Sequence, residues 1–194
     1  MKSIILIALT EGFADWEASY VSAELNKPGR GLRVRTIGID KNPKTSMGGL
    51  QVLPHDDLNG FDELEQVAML ILPGGTGWAE PRHEPFRTLI ESCFQRDIPV
   101  AAICDATSFL GKYGFLEHCR HTGNTLSLLK QHAPGYTGDA NYVEAQSVSD
   151  GNVITANGSA AVEFARDILQ KLGALEGEDL AEWYHICKHG FLPA

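Results

Sequence analysis

Long apolar runs are missing from this 194-residue chain, and none approaches the roughly 18 residues a membrane-spanning helix needs. The opening segment, residues 1–17, holds one short apolar stretch followed by acidic side chains. A secretory signal needs a longer apolar region and a small-residue cleavage site. Residues 4–9 therefore read as a buried first strand, and the protein as cytoplasmic. Basic charge is scarce: 16 Lys and Arg stand against 25 Asp and Glu, a net charge of −9 with His neutral. The densest basic stretch, residues 30–44, is broken by apolar side chains. That balance argues against nucleic acid or an anionic membrane as the main partner. Cysteine pairs are missing too. Cys93, Cys104, Cys119 and Cys187 show no C-x-x-C spacing, which removes the zinc ribbon and the thioredoxin pair. A chain this long builds a full core without a disulfide framework. No metal and no cofactor is expected. Internal repeats, linkers and low-complexity tracts are absent, so residues 1–194 read as one domain.

What is present is alternation. Apolar runs of strand length fall at residues 3–9, 32–39, 67–72 and 99–103, and two more, 143–148 and 152–156, meet at Asp150-Gly151. Stretches of helical period lie between and after them, at 14–26, 85–96, 106–114, 126–132, 160–172 and 180–188. Residues 45–53 read as a hairpin around Gly48-Gly49. Continuous apolar strands separated by helices predict an α/β three-layer sandwich with a mostly parallel central sheet. Ligands on such sheets bind beyond the carboxyl ends of the strands. Glu11 to Glu17, Gly74 to Gly77 and Cys104-Asp105 all fall there.

Cys104 is the leading candidate for chemistry. The segment Pro99-Val-Ala-Ala-Ile-Cys-Asp-Ala-Thr passes from strand to helix without a loop. A residue on such a turn is held in strained geometry with its side chain over the sheet edge. The N-terminus of the following helix is expected to lower the thiol pKa. The competing reading is a buried structural cysteine, a common role for this residue. Gly74 and Gly75 allow backbone N–H groups to turn toward a substrate oxygen, and the Asp105 N–H would join them. No G-K-[ST] follows, so the loop is not a phosphate-binding one. Glu17, read as lying on the helix from Ala14, reaches the sulfur if its strand neighbours that of Cys104; an exposed helix carboxylate is the plainer alternative. Asp15 reads as an ordinary helix N-terminal residue.

Taken together, these pieces resemble the ThiJ/PfpI family of the class I glutamine amidotransferase-like superfamily. The matching segments are Glu17, Leu72-Pro-Gly-Gly75, Ala101-Ala-Ile-Cys104 with Gly114-Phe-Leu116, and Asn152-Val-Ile-Thr-Ala-Asn-Gly158 leading into Val162-Glu-Phe-Ala165. His121-Thr-Gly-Asn124 and Glu182-Trp-Tyr184 resemble a bacterial branch described as amidotransferases or intracellular protease-amidases. The resemblance implies a flavodoxin-like fold with a nucleophile elbow. It makes Cys104 the nucleophile, Glu17 its hydrogen-bond partner and the Gly74 backbone part of an oxyanion site. It also implies a homodimer, for which Trp16, Tyr20, Trp183 and Tyr184 are candidate surface. One departure stands out: the protease-like members carry His directly after the nucleophile, and this chain carries Asp105. His121 is then the best substitute base, with Asp105 itself an alternative. His185 reads as packing or interface.

The function expected is a cysteine-dependent enzyme acting on a small-molecule substrate, a carbonyl or an amide, by hydrolase, amidase or glyoxalase-like chemistry. The same residues leave open a redox-sensing thiol, oxidised to a sulfinate beside Glu17, and a non-catalytic ligand-binding domain.

Overall fold

The computed structural model describes residues 2–191. Its first strand, β1 (Ile4–Ala8), is buried along its whole length. The reason lies in side-chain alternation. Ile4, Leu6 and Ala8 join one core with Phe86, Ile90 and Phe109, while Ile5, Ile7 and Leu9 join a second with Val21, Leu25 and Phe164. A strand covered on both faces needs no polar face, which explains the unbroken apolar run.

After β1 come α1 (Ser19–Leu25), β2 (Arg33–Gly38), a small hairpin of β3 (Lys44–Thr45) and β4 (Gln51–Val52), and β5 (Asp56–Asp57). Then follow β6 (Val67–Leu72), α2 (Phe86–Gln95), β7 (Val100–Ile103), α3 (Asp105–Lys112) and α4 (Leu126–His132). The chain continues through β8 (Ser147–Asp150), β9 (Val153–Ala156), α5 (Ala161–Lys171) and α6 (Gly177–His189). The main sheet has seven strands in the order β5-β2-β1-β6-β7-β9-β8, all parallel except for the β8–β9 pair. The expected mostly parallel α/β architecture is therefore present. Strand order reverses beside β1: β2 lies on one side and β6 on the other. The carboxyl ends of β1, β6 and β7 open at that switch point, where ligands of open parallel sheets bind.

Three boundaries differ from the sequence reading by three residues or more. The first helix begins at Ser19 rather than Ala14, because the preceding residues are tied elsewhere. Ala14 N–H donates to Gly74 O at 3.1 Å, and Met47 N–H donates to Phe13 O at 2.8 Å. The first helix also buries Val21, Glu24 and Leu25, leaving Trp16 and Tyr20 exposed. Glu24 tolerates burial because Lys27 and Arg30 each hold it at 2.5 Å. The strand expected from Val143 starts only at Ser147; Val143 N–H instead donates to His121 O at 2.8 Å. The last helix starts three residues early, at Gly177.

Phe164 is fully buried at the centre of the α1–α5 face. Phe164→Ala should cost about 3–5 kcal/mol through lost burial and the cavity left behind. Urea denaturation checks this, and a loss below about 1 kcal/mol would contradict the packing described.

Candidate active site

β7 ends at Ile103, and the next residue turns the chain directly into α3. Cys104 makes that turn with φ 60 and ψ −129. Among the described residues it shares positive φ with one other non-glycine residue, Asp97. Such backbone costs on the order of 1–3 kcal/mol and persists only where neighbours over-determine it. Here Cys104 N–H donates to Ala156 O at 3.0 Å. Its carbonyl accepts from both the N–H and the hydroxyl of Thr107, at 3.1 and 2.6 Å. The predicted elbow is thus formed, and two loops close on it. A Cβ on Gly74 would lie 2.5 Å from Cys104 Cβ and 2.8 Å from Glu17 Oε2. A Cβ on Gly158 would lie 2.9 Å from the sulfur. Only glycine permits either approach.

Glu17 lies in the turn before α1, not on the helix, and is fully buried. Its Oε2 accepts from Gly74 N–H at 2.6 Å, while Oε1 has no hydrogen-bond partner among the described residues. Burial pushes the carboxyl up to about 7; the Gly74 N–H and the neighbouring Cys104 thiol oppose this, and the charge of Asp105 adds to it. The thiol of Cys104 is also raised, to about 11, first by burial and then by the charge of Glu17. This corrects the expectation of a lowered thiol. The Asn124 amide and the Asp105 N–H favour the thiolate, but burial beside two carboxyls outweighs them. Glu17 and Cys104 therefore titrate as a pair, each charge resisting the other.

The donors around the sulfur are not all those expected. Gly74 N–H, assigned to an oxyanion site, is occupied by Glu17. Gly75, at φ 114, has an N–H without a hydrogen-bond partner among the described residues. The Asp105 N–H favours the charged form of the sulfur. Asn124 Nδ2 donates to Cys104 Sγ at 3.3 Å and lies 3.5 Å from Asp105 Oδ1, while its Oδ1 accepts from Gly158 N–H at 2.8 Å. Asp105 also lines a cleft of about 170 Å³ with Thr76, Trp78, Ser108, Lys112 and His132. Among the described residues, no group of three or more His, Cys, Asp or Glu is placed to hold a metal ion.

The DJ-1/PfpI family model matches residues 2–171. The chain belongs to this family. It is similar to two Bacillus subtilis proteins, the uncharacterized protease YoaZ and the uncharacterized protease YdeA. Identity to YoaZ is 35% over 181 residues, covering 90% of this chain and 86% of that one. Identity to YdeA is 32% over 191 residues, covering 98% and 93%. Among solved structures, a ThiJ/PfpI family protein from Bacillus anthracis superposes with a TM-score of 0.89 at 36% identity, covering 97% of this chain and 91% of that one. The DJ-1 superfamily protein Atu0886 from Agrobacterium tumefaciens gives 0.86 at 38% identity, covering 96% and 99%.

Against the pattern expected of a DJ-1/PfpI protein, Cys104, Glu17, Gly74 and Asp105 come together, Gly75 packs on Gly12 and Phe13, and His121 stands apart. His121 is fully buried and donates from Nδ1 to Cys119 O at 2.8 Å, so its Nε2 accepts from the Tyr136 hydroxyl at 2.6 Å. Burial also holds its pKa below the usual imidazole value. With both nitrogens engaged and the ring kept neutral, His121 is a packing residue. Asn124, three positions on in the same segment, is the one that touches the sulfur. Asn124 and Gly158 both closed segments already singled out in the sequence; nothing in the sequence marked His132. Asp15, expected at a helix N-terminus, accepts from the Ser46 hydroxyl at 2.7 Å and anchors the hairpin.

Folding raises the Glu17 pKa from its ordinary 4.5 to about 7. The folded chain then binds more protons than the unfolded one between those values, so stability falls as pH rises through that window. Glu17→Gln keeps an acceptor for Gly74 N–H and removes the buried charge. It should be more stable than wild type by on the order of 1–3 kcal/mol at pH 8, with the difference gone below about pH 4.5. Cys104 should also be alkylated faster at pH 8, because the charge that raises it is gone. Denaturation curves across pH, with iodoacetamide kinetics, test both; equal stability and equal rates at pH 8 would refute the coupling.

Proposed function

We propose that this chain is a cysteine-dependent enzyme acting on a small carbonyl or amide compound, with hydrolase-like chemistry. The observation that carries this reading is Cys104 on its elbow, with Gly74 packed against its Cβ, the Asp105 N–H favouring its thiolate and Glu17 behind. The protease names of YoaZ and YdeA support the hydrolase class. In the reaction, the Cys104 sulfur attacks the carbonyl carbon, and the carbonyl electron pair moves onto oxygen. The Gly75 and Asp105 N–H groups receive that oxyanion. Glu17, titrating near neutrality, accepts the thiol proton and returns it to oxygen when an aldehyde is the substrate. Addition to an aldehyde ends in a hemithioacetal on Cys104, which reverses by the same proton path; with a simple amide the C–N bond breaks, water cleaves the thioester, and Cys104 is restored.

The carboxyl of Asp105 stands where an adjacent imidazole would protonate an amine. Long peptides are therefore poorer substrates than aldehydes or simple amides in this reading. The four cysteines are free thiols, in keeping with a reducing, cytoplasmic setting. Among the described residues, no helix is long and apolar enough to cross a membrane.

A homodimer fits the exposed apolar surface. Trp16, Tyr20, Met47, Leu50 and Leu53 are all exposed, on α1, the turn before it and the β3–β4 region. Trp183 and Tyr184, the other aromatic candidates, are half-buried in their own chain; Tyr184 donates to Glu163 at 2.9 Å.

Two measurements test these readings. Turnover of a panel of small aldehydes and simple amides should be present in wild type and fall at least about 100-fold in Cys104→Ala. Activity that survives the substitution would refute the nucleophile. Light scattering at micromolar concentration should give twice the chain mass, and a monomer mass would refute the pairing.

A further inference from the structure

His132 is the last residue of α4, and its ring faces the start of α3. Its Nδ1 lies 3.9 Å from Asp105 Oδ1, the same carboxylate oxygen that lies 3.5 Å from Asn124 Nδ2. Asn124 Nδ2 in turn donates to the Cys104 sulfur. Both His132 and Asp105 line the cleft beside the elbow, and both side chains remain substantially exposed to it, 43% and 35%. We propose that His132, oriented by Asp105, is the general acid and base that this site presents to the leaving group of a small amide. The roles of the expected pair are thereby exchanged: the residue after the nucleophile supplies the carboxylate, and the imidazole comes from another helix.

This proposal rests on the Cys104 reading and deepens it. The Cys104 thiolate adds to the amide carbonyl, forming a C–S bond and an oxyanion. On collapse the C–N bond breaks, and His132 passes a ring proton to the departing nitrogen. Neutral His132 then takes a proton from water as its oxygen attacks the thioester. The C–S bond breaks, releasing the carboxylic acid and restoring thiolate and imidazolium. The sum is amide plus water giving acid plus amine. A separation of 3.9 Å in the free protein is compatible with this role, because catalytic hydrogen bonds often tighten only with substrate.

The other charged groups near His132 are few. Lys112 reaches the cleft from α3 and is paired with Glu84 at 3.0 Å. Lys130, on the same helix, is paired with Asp139. Asp105 is thus the one anionic group lining the cleft.

The test compares 4-nitroacetanilide with 4-nitrophenyl acetate, which carry the same acetyl group on a poor and a good leaving group. First-turnover release of nitroaniline or nitrophenol reports acylation alone. His132→Gln should lower the anilide rate about 100-fold more than the ester rate. The alkaline limb of the wild-type anilide profile should be lost with it. Asp105→Asn, which removes the orienting carboxylate, should likewise lower the anilide rate more than the ester rate. An anilide rate unchanged in His132→Gln, or both rates falling equally, overturns the role of His132 and leaves Cys104 untouched. Wild type that releases nitrophenol but no nitroaniline also overturns it. Wild type inert to both, with Cys104→Ala no different, overturns the underlying reading and this proposal together.

Discussion

A single left-handed residue organises the carboxyl edge of the sheet. Cys104 occupies backbone space that a side chain normally avoids, and three hydrogen bonds to Ala156 and Thr107 keep it there. The neighbouring loops are built around that side chain. Gly74 and Gly158 approach so closely that any Cβ would collide with it. Asn124 then bridges the sulfur to the Gly158 backbone. Were Cys104 to relax into ordinary helical geometry, the sulfur would leave these groups and the loops would face a void. The strain is maintained because every partner has been fitted to it.

The second constraint is electrostatic. A thiol and two carboxyls converge at one helix start, and no Lys or Arg is paired with any of the three among the described residues. Such a cluster cannot hold several charges at once. Burial raises Glu17 into the neutral range, and the Gly74 N–H and the Cys104 thiol together are too little to pull it back. The result is a proton with two possible owners, Glu17 or the sulfur. A thiol held this way depends on the state of its neighbour more than on the dipole of the helix behind it.

Two sides of Cys104 thus have different characters. Glu17, Gly74, Ala14 and Ala18 form a closed, buried side. Asp105, Thr76, Ser108 and His132 form an open, polar side along the cleft. This division follows from strand order: β1 and β6 deliver the closed side, and α3 and α4 the open one.

The alternation of apolar runs and helical stretches was enough to determine a mostly parallel α/β sheet, because strands buried on both faces leave no polar alternation to misread. The strand-to-helix passage at Ile103-Cys104-Asp105 marked the elbow, since no residues were available for a loop. Glu17 and the two glycines were legible as groups at carboxyl ends. What the tertiary structure decided was which of these groups touch. Gly74 spends its N–H on Glu17, a pairing between residues 57 positions apart that no local pattern encodes. His121 turns into the packing around Tyr136 while Asn124, three residues later, reaches the sulfur. His132 meets Asp105 only because α4 folds back onto α3. Periodicity reports which face of an element is buried; hydrogen-bond partners and shared protons depend on distances across elements, which exist only once the layers have packed.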